Sequence, residues 1–165
     1  MTVSQPPFQR FLDAHRDDVW RFLVASVGRT DADDCFQETF MAAMRAYPRL
    51  RPDSNLRAWV LTIAHRKALD TYRSRKRHAV PVEEVPEVAH HDPDLPDGEL
   101  WAQVRELPPK QRGAILLRYG ADLSHAEIAV ALDCSEEAAR RSVHEGLKKL
   151  RHEVGVTAER SEVVQ

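Results

Sequence analysis

Apolar residues recur along this chain at spacings of three and four, the period of amphipathic helices, and the alternating β-branched runs of strands are missing. Phe8, Phe11, Leu12, Trp20, Leu23 and Val27 predict a first helix that Gly28 ends. Thr30 or Asp31 is placed to cap a second. On that helix Phe36, Phe40, Ala43, Met44 and Tyr47 mark the core side, Asp34, Gln37, Glu38, Met41 and Arg45 mark the opposite face, and Pro48 is the stop. After a loop over 49–54 comes a long helix from about Asn55 to Arg77. Further on, Leu100, Trp101, Val104 and Leu107 predict a helix broken at Pro108-Pro109, and Pro109 suits the first turn of the next. That one runs from about Lys110 to Tyr119 and buries Ile115, Leu116 and, at its end, Tyr119. Ser124-His125-Ala126-Glu127 has the capping-box pattern ahead of Ile128, Ala129 and Leu132. Asp133-Cys134-Ser135 makes a tight connection to a last helix, Glu136 to about His152, with Ala139, Val143, Gly146, Leu147 and Leu150 as its buried stripe.

Between the two sets of helices, residues 79–97 hold Pro81, Pro86, Pro93 and Pro96 together with six acids and no base. Proline and like charge keep such a segment extended. The expected fold class is therefore all-α, with two small helical domains at 8–78 and 98–152, a flexible linker at 79–97 and a flexible tail at 153–165. A length of 165 residues accommodates this, although each half is small for a core of its own. No internal repeat is found. No apolar run reaches the roughly 18–20 residues of a membrane span, and the first residues lack a signal core, so a cytoplasmic location without membrane insertion is expected. Cys35 and Cys134 lie far apart and read as buried thiols rather than a disulfide.

The net charge of −2 hides a strong sorting of charge. From Arg57 to His78 there are seven bases (Arg57, Arg66, Lys67, Arg73, Arg75, Lys76, Arg77) against one acid, Asp70. A helix so basic repels itself unless a polyanion is near. Trp59, Arg66 and Arg73 follow at sevens, with Thr62 and Arg77 close to the same line. A stripe of aromatic and cationic groups suits unpaired or distorted DNA, whose base faces and phosphates are both accessible. For Trp59 taken alone, the core is the plainer reading. The two helices on either side of Asp133-Cys134-Ser135 have the form of a helix-turn-helix, in which the first braces the second in a DNA major groove. Arg140 and Arg141 fall in the first turns of the second helix, where arginine reads guanine or holds phosphate. Lys148, Lys149 and Arg151 lie near its far end and suit phosphates and the helix C-terminus. Many such turns carry glycine; Asp133 tolerates the same left-handed backbone.

The acidic start of the second helix (Asp31, Asp33, Asp34, Glu38) compensates the helix dipole. Asp34, Gln37, Glu38 and Met41 also make a mixed face suited to a basic protein partner. Histidines and cysteines show no zinc spacing, and His90-His91 reads as solvated. No nucleophile–base arrangement and no glycine-rich phosphate loop is present, so neither an enzyme nor a cofactor is expected.

Five strings together resemble a family: Asp33-Asp34-Cys35-Phe36-Gln37-Glu38-Thr39-Phe40, Leu56-Arg57-Ala58-Trp59-Val60-Leu61-Thr62-Ile63-Ala64-His65-Arg66-Lys67-Ala68-Leu69-Asp70, Leu107-Pro108-Pro109-Lys110-Gln111-Arg112, Leu123-Ser124-His125-Ala126-Glu127-Ile128-Ala129, and Ala138-Ala139-Arg140-Arg141-Ser142-Val143-His144-Glu145-Gly146-Leu147-Lys148-Lys149-Leu150-Arg151. In order and spacing they resemble the extracytoplasmic-function (ECF) sigma factors of bacterial RNA polymerase, in the sigma-70 family, over nearly all of residues 8–152. The resemblance implies a sigma-2-like helical bundle and a sigma-4-like helix-turn-helix domain. It implies that Asp34, Gln37, Glu38 and Met41 bind core RNA polymerase. Asn55, Leu56, Trp59, Arg66, Arg73 and Arg77 would recognise and open the minus-10 promoter element. Ser135, Glu136, Arg140, Arg141, His144, Glu145 and Lys148 would read the minus-35 element. Glu145 stands where relatives often carry a base, and either reads cytosine or pairs with Lys149. Implied partners are core polymerase, promoter DNA and an anti-sigma protein. Rival readings are a helix-turn-helix regulator acting without polymerase, an inactive sigma-like decoy and a nuclease. The regulator would normally dimerise and bind duplex unaided, and the nuclease lacks a carboxylate cluster for metal.

Overall fold

A computed structural model of the chain describes residues 4–78 and 98–162, all helix and connecting turns, with no strand among the described residues. The proline-rich linker expected at 79–97 lies outside them. The first half is a bundle of α1 (Phe8–Val27), α2 (Arg29–Ala46) and α3 (Leu56–Arg77), with a short 3-10 turn at Tyr47–Arg49. The second half comprises α4 (Gly98–Glu106), α5 (Pro109–Ile115), a π-helical turn at Leu116–Gly120, α6 (His125–Leu132) and α7 (Glu136–Glu162).

Gly28 joins α1 to α2 without a loop. Its φ of 82° is open to glycine at no steric cost. Its N–H closes α1 on the Val24 carbonyl at 3.0 Å, and its own carbonyl accepts from Ala32 at 3.1 Å. The glycine thus serves both helix ends, and α2 starts at Arg29. Thr30 and Asp31, expected as caps, lie inside the first turn instead. Asp31 pairs with Arg75 of α3.

Buried positions on α2 are Ala32, Cys35, Thr39, Phe40 and Ala43. Small side chains recur there at three- and four-residue steps; Cys35 Sγ lies 3.0 Å from Thr71 Oγ1 of α3, and the Thr39 hydroxyl is satisfied by donating to the Cys35 carbonyl at 2.6 Å. Met44, expected in the core, falls off this stripe and is 55% exposed. At the base of the bundle Phe11, Phe40, Tyr47 and Trp59 form an aromatic cluster, with Trp59 5.6 Å from Phe11 and 6.2 Å from Tyr47 between ring centroids.

The expected helix from Lys110 to Tyr119 changes pitch after Ile115. Ala121 donates to the Leu116 carbonyl five residues back at 3.1 Å, a π-type bond. The wider turn rotates Tyr119 outward, and it is 61% exposed rather than buried. At the other end of the chain, α7 continues to Glu162, past the expected end at His152, so the tail expected to be flexible is helical up to that residue. Residues 154–162 contain no proline, and Ala158, Glu159 and Arg160 are good helix formers.

Buried apolar residues of the two halves form one cluster rather than two. α3 is the shared element, packed by α1 and α2 and, across the junction between the halves, by α6. Three polar links accompany the apolar contact. Arg57 of α3 donates to Asp18 at 3.0 Å and to the Ala121 carbonyl at 2.7 Å. Asn55 donates to Glu127 at 2.8 Å. The buried Arg112 guanidinium donates to the carbonyls of Ser26 at 2.8 Å, Leu107 at 3.0 Å and Arg105, with its carbon 4.5 Å from the centre of the Tyr72 ring.

Candidate nucleic-acid and polymerase interfaces

Three surfaces were expected from the sequence, and each falls on a different helix. On α7, Ser135 is the N-cap: its hydroxyl accepts from Ala138 N–H at 3.1 Å, which fixes the start of the helix. Glu136, Arg140, Arg141, His144, Glu145 and Lys148 are all exposed. Arg140, Arg141, His144 and Lys148 follow at helical spacing along one outward side. Arg140 is held by Glu136 at 3.0 Å, one turn back. Glu145 accepts from Gln111 of α5 at 3.3 Å, so its hydrogen bond braces α7 against the preceding helix.

The helix before it is built as the supporting member. Ser124 and Glu127 close the capping box reciprocally, Ser124 Oγ accepting from Glu127 N–H at 3.2 Å and Glu127 Oε2 accepting from Ser124 N–H at 2.8 Å. Ile128, Ala129, Ala131 and Leu132 are buried beneath α7 and α3. Asp133 takes the left-handed turn, φ 52° and ψ 54°, that sends the chain into α7. Cys134 beside it is half-buried.

On α3 the expected residues divide. Asn55 caps the helix, Oδ1 accepting from Ala58 N–H at 3.0 Å, while its amide nitrogen is used by Glu127. Leu56 and Trp59 are half-buried against the core. The indole of Trp59 faces the aromatic cluster, so the stripe drawn from it through Arg66 and Arg73 is cationic rather than mixed. Arg66, Arg73 and Arg77 are exposed. Much of the positive charge on α3 is balanced within the first half: Arg57 by Asp18, Lys67 by Glu38 at 3.9 Å, Arg73 by Asp70 at 4.0 Å, and Arg75 by Asp31. Arg66 and Lys76 have no acidic partner among the described residues, and with Arg73 and Lys110 they line a groove of about 790 Å³ between α3, α5 and the Asp133 turn.

The α2 face is as expected. Asp34, Gln37, Glu38 and Met41 are exposed on one side of the helix, Met41 by 50%. Met44, which the apolar pattern had placed in the core, lies near Met41 on the surface and adds a second flexible thioether to it.

Two buried groups had no role in the sequence reading. His65 of α3 is 2% exposed, and neither ring nitrogen has a hydrogen-bond partner among the described residues. Burial, helped by the charge of Arg66, pushes its pKa down to about 4. Arg112 is lowered to about 10 by burial and stays charged at neutral pH. Cys35 is buried against Thr71, and burial raises its thiol pKa, which disfavours a reactive thiolate. Among the described residues no group of His, Cys, Asp and Glu could hold a metal ion, and no helix is long and apolar enough to cross a membrane.

Comparison with known proteins identifies the family of the chain. The family description "Sigma-70 region 2" matches residues 11–78 and "Sigma-70, region 4" matches residues 97–150. The chain is 31% identical to the RNA polymerase sigma factor CarQ of Myxococcus xanthus, over 92% of this chain and 91% of that one. It is 33% identical to the ECF RNA polymerase sigma factor SigC of Mycobacterium tuberculosis, over 82% and 76%. Among solved structures, the sigma factor RpoE of Bartonella quintana, in complex with the anti-sigma factor NepR, has the same fold with a TM-score of 0.78 at 22% identity, covering 90% of this chain and 97% of that one. The chain belongs to the sigma-70 family, in its ECF group, and is an RNA polymerase sigma factor.

Proposed function

We propose that the three surfaces divide the work of promoter-specific initiation. The α2 face of Asp34, Gln37, Glu38 and Met41 docks on a basic surface of core RNA polymerase. Its acids favour encounter and its thioethers adapt to the partner. Arg140, Arg141, His144 and Lys148 of α7 enter the major groove at the minus-35 element, with Ser135 and Glu136 at the helix start and Glu145 at its flank. Asn55, Leu56, Arg66, Arg73 and Arg77 meet the minus-10 element, the arginines along the phosphates of an unpaired strand and the start of α3 beside its bases. Trp59 supports this end of α3 from the core side. Opening follows because these groups bind a separated strand better than duplex, and only such a difference shifts the equilibrium. Unstacking costs a few kcal/mol, which strand contacts offset.

The protein has no catalytic step of its own: nucleotide addition belongs to core polymerase. Its work is in the cytoplasm, where promoter and polymerase are. An anti-sigma protein is the third partner. The apolar cleft of about 830 Å³ between the halves, lined by Phe22, Leu61, Trp101, Ile115, Tyr119 and Leu147 with Arg21 and Arg151 at hand, suits an amphipathic segment of it.

The observation that carries this reading is the order of the surfaces. The region 2 match falls on the helices with the polymerase face and the basic helix, and the region 4 match on the helix-turn-helix. Run-off transcription with purified core polymerase and genomic fragments tests it. Discrete transcripts that appear only when the protein is added are expected; their absence from every fragment overturns the proposal.

A further inference from the structure

Glycine is the poorest helix former after proline, and α7 carries Gly146 and Gly155. Their surroundings differ. A β-carbon at Gly155 would meet nothing within 4 Å. One at Gly146 would lie 2.8 Å from Ile115 Cγ1, 3.2 Å from Ile115 Cδ1 and 3.5 Å from the Gln111 carbonyl oxygen, all on α5. Carbon atoms in ordinary contact sit about 3.5–4.0 Å apart, so a side chain here needs α7 and α5 to separate by about 1 Å or Ile115 to turn away. Ile115 is buried and β-branched, which makes its χ1 stiff in a helix.

Gly146 belongs to the inner side of α7, where Ala139, Val143 and Leu150 are also buried. One residue earlier, Glu145 accepts from the Gln111 amide at 3.3 Å. A close contact and a hydrogen bond to the same helix thus lie side by side, and together they are the second support of α7. The first is its start, where Ser135 caps the helix and the Cys134 N–H donates to the Ala129 carbonyl of α6 at 3.0 Å. From Ser135 to Gly146 is eleven residues, or about 16 Å along the axis. Two supports fix the direction of a rod. Arg140, Arg141 and His144 lie between them, and Lys148 lies just beyond. Groups that bind with specificity must be held within about 0.5 Å of their productive places. A displacement of about 1 Å at Gly146 passes almost in full to His144 and Lys148, two residues to either side.

We infer that Gly146 is a positioning residue for the minus-35 contact: having no side chain, it lets α7 seat on Ile115, and with the Gln111–Glu145 bond this seat sets the angle at which Arg140, Arg141, His144 and Lys148 are presented to the major groove. The inference rests on the proposed role of α7 as the reader of that element. Gly146 faces α5 and acts only through the side chains on the outer side of its own helix. The poor helix propensity of glycine at this place is the cost of the close approach.

Holoenzyme assembled from core polymerase and the full chain tests it. Affinity is measured for a promoter fragment that supports run-off transcription and for the same fragment with its minus-35 element scrambled. The ratio of the two affinities is the readout, because a general loss of stability or of polymerase binding lowers both alike. Gly146→Ala should reduce the ratio about three- to tenfold, a share of what base contacts contribute. Adding Ile115→Ala removes both obstructing atoms and should bring the ratio back to within about twofold of wild type, since the two sites are in contact and couple. Gly155→Ala gives α7 the same gain in helix propensity with nothing in its way, and should leave the ratio unchanged. Gln111→Ala adds no atom to the contact, so it reads the same support even where Gly146→Ala folds poorly; a loss of about threefold is expected. An equal loss in Gly155→Ala, or a loss in Gly146→Ala that Ile115→Ala does not relieve, overturns the seat on Ile115. Equal affinities of the wild-type holoenzyme for the two fragments remove the minus-35 reading and the inference with it. A large wild-type ratio that Gly146→Ala and Gln111→Ala both keep overturns the positioning role alone.

Discussion

Arg112 crosses the junction twice, through its bond to the Ser26 carbonyl and its place over the Tyr72 ring. Its guanidinium satisfies three carbonyls from both sides and lies over the Tyr72 ring. Replacing it with alanine strands those acceptors in a dry interior, so Arg112→Ala is expected to destabilise the protein by about 2–4 kcal/mol, measured by urea denaturation. His65 makes a different prediction. Unfolded, it takes up a proton near the ordinary histidine value of 6.5; folded, it resists until about pH 4. Stability is therefore complete above pH 6.5 and declines as the pH falls toward 4, on the order of 3 kcal/mol from this group. His15, lowered by burial against the opposing pull of Asp18, adds a loss of the same sign. A His65→Leu variant should lose less stability than wild type between pH 7 and pH 4.5 in parallel melts. Neither residue could be singled out from the sequence. His65 sits among arginines on a helix that reads as basic throughout, and Arg112 follows a Pro-Pro-Lys-Gln run of ordinary helix-start residues. Burial by an element far away in the chain is what gives each its meaning.

At the scale of elements, the start of α7 is held rigidly because both of its constraints are local. Ser135 caps it, and α6 supports it from a closed capping box. Ser135→Ala should cost about 1 kcal/mol in stability, and weaken minus-35 binding through fraying of the first turn. Arg140→Ala should weaken binding of a minus-35 duplex by about 1–3 kcal/mol if it reads a base. If it holds only a phosphate, the slope of affinity against salt should fall by about 1, with little change in sequence preference. Titrations at several salt concentrations separate the two. On α3, Arg73→Ala should leave polymerase binding intact and slow promoter opening, read by permanganate reactivity of unpaired thymines. Helix ends with their own chemistry were legible: the glycine between α1 and α2, Asn55, Ser124 with Glu127, and Pro109. The change of pitch after Ile115 was not, because a π-type turn uses the same apolar residues as the helix it interrupts. Met44 was misplaced for a related reason. Periodicity counts methionine as core, whereas the buried stripe of α2 runs through Ala32, Cys35, Thr39, Phe40 and Ala43 and leaves Met44 outside it.

For the whole molecule, one apolar cluster spans both halves. Neither half is large, and small helical units gain stability by sharing buried surface. Thermal unfolding followed by calorimetry should show a single transition at neutral pH for the wild-type chain. A β-carbon at Gly113 would lie 2.4 Å from His65 Cε1 of the first half, so Gly113→Ala should lower the temperature of that transition.

Helical periodicity, proline punctuation and capping chemistry determined the two sets of helices, the turn at Asp133 and the residues presented on α2 and α7, because each depends on neighbours within a few positions of the chain. Those same patterns, with the ordered strings that carry the resemblance, were enough for the family. Tertiary structure alone decided that α6 lies on α3, that Glu127 answers Asn55, and that an unpartnered histidine lies beneath a glycine from the other half. Such pairings arise from shape and desolvation between segments far apart in sequence, and no local pattern records which distant surface a helix will meet.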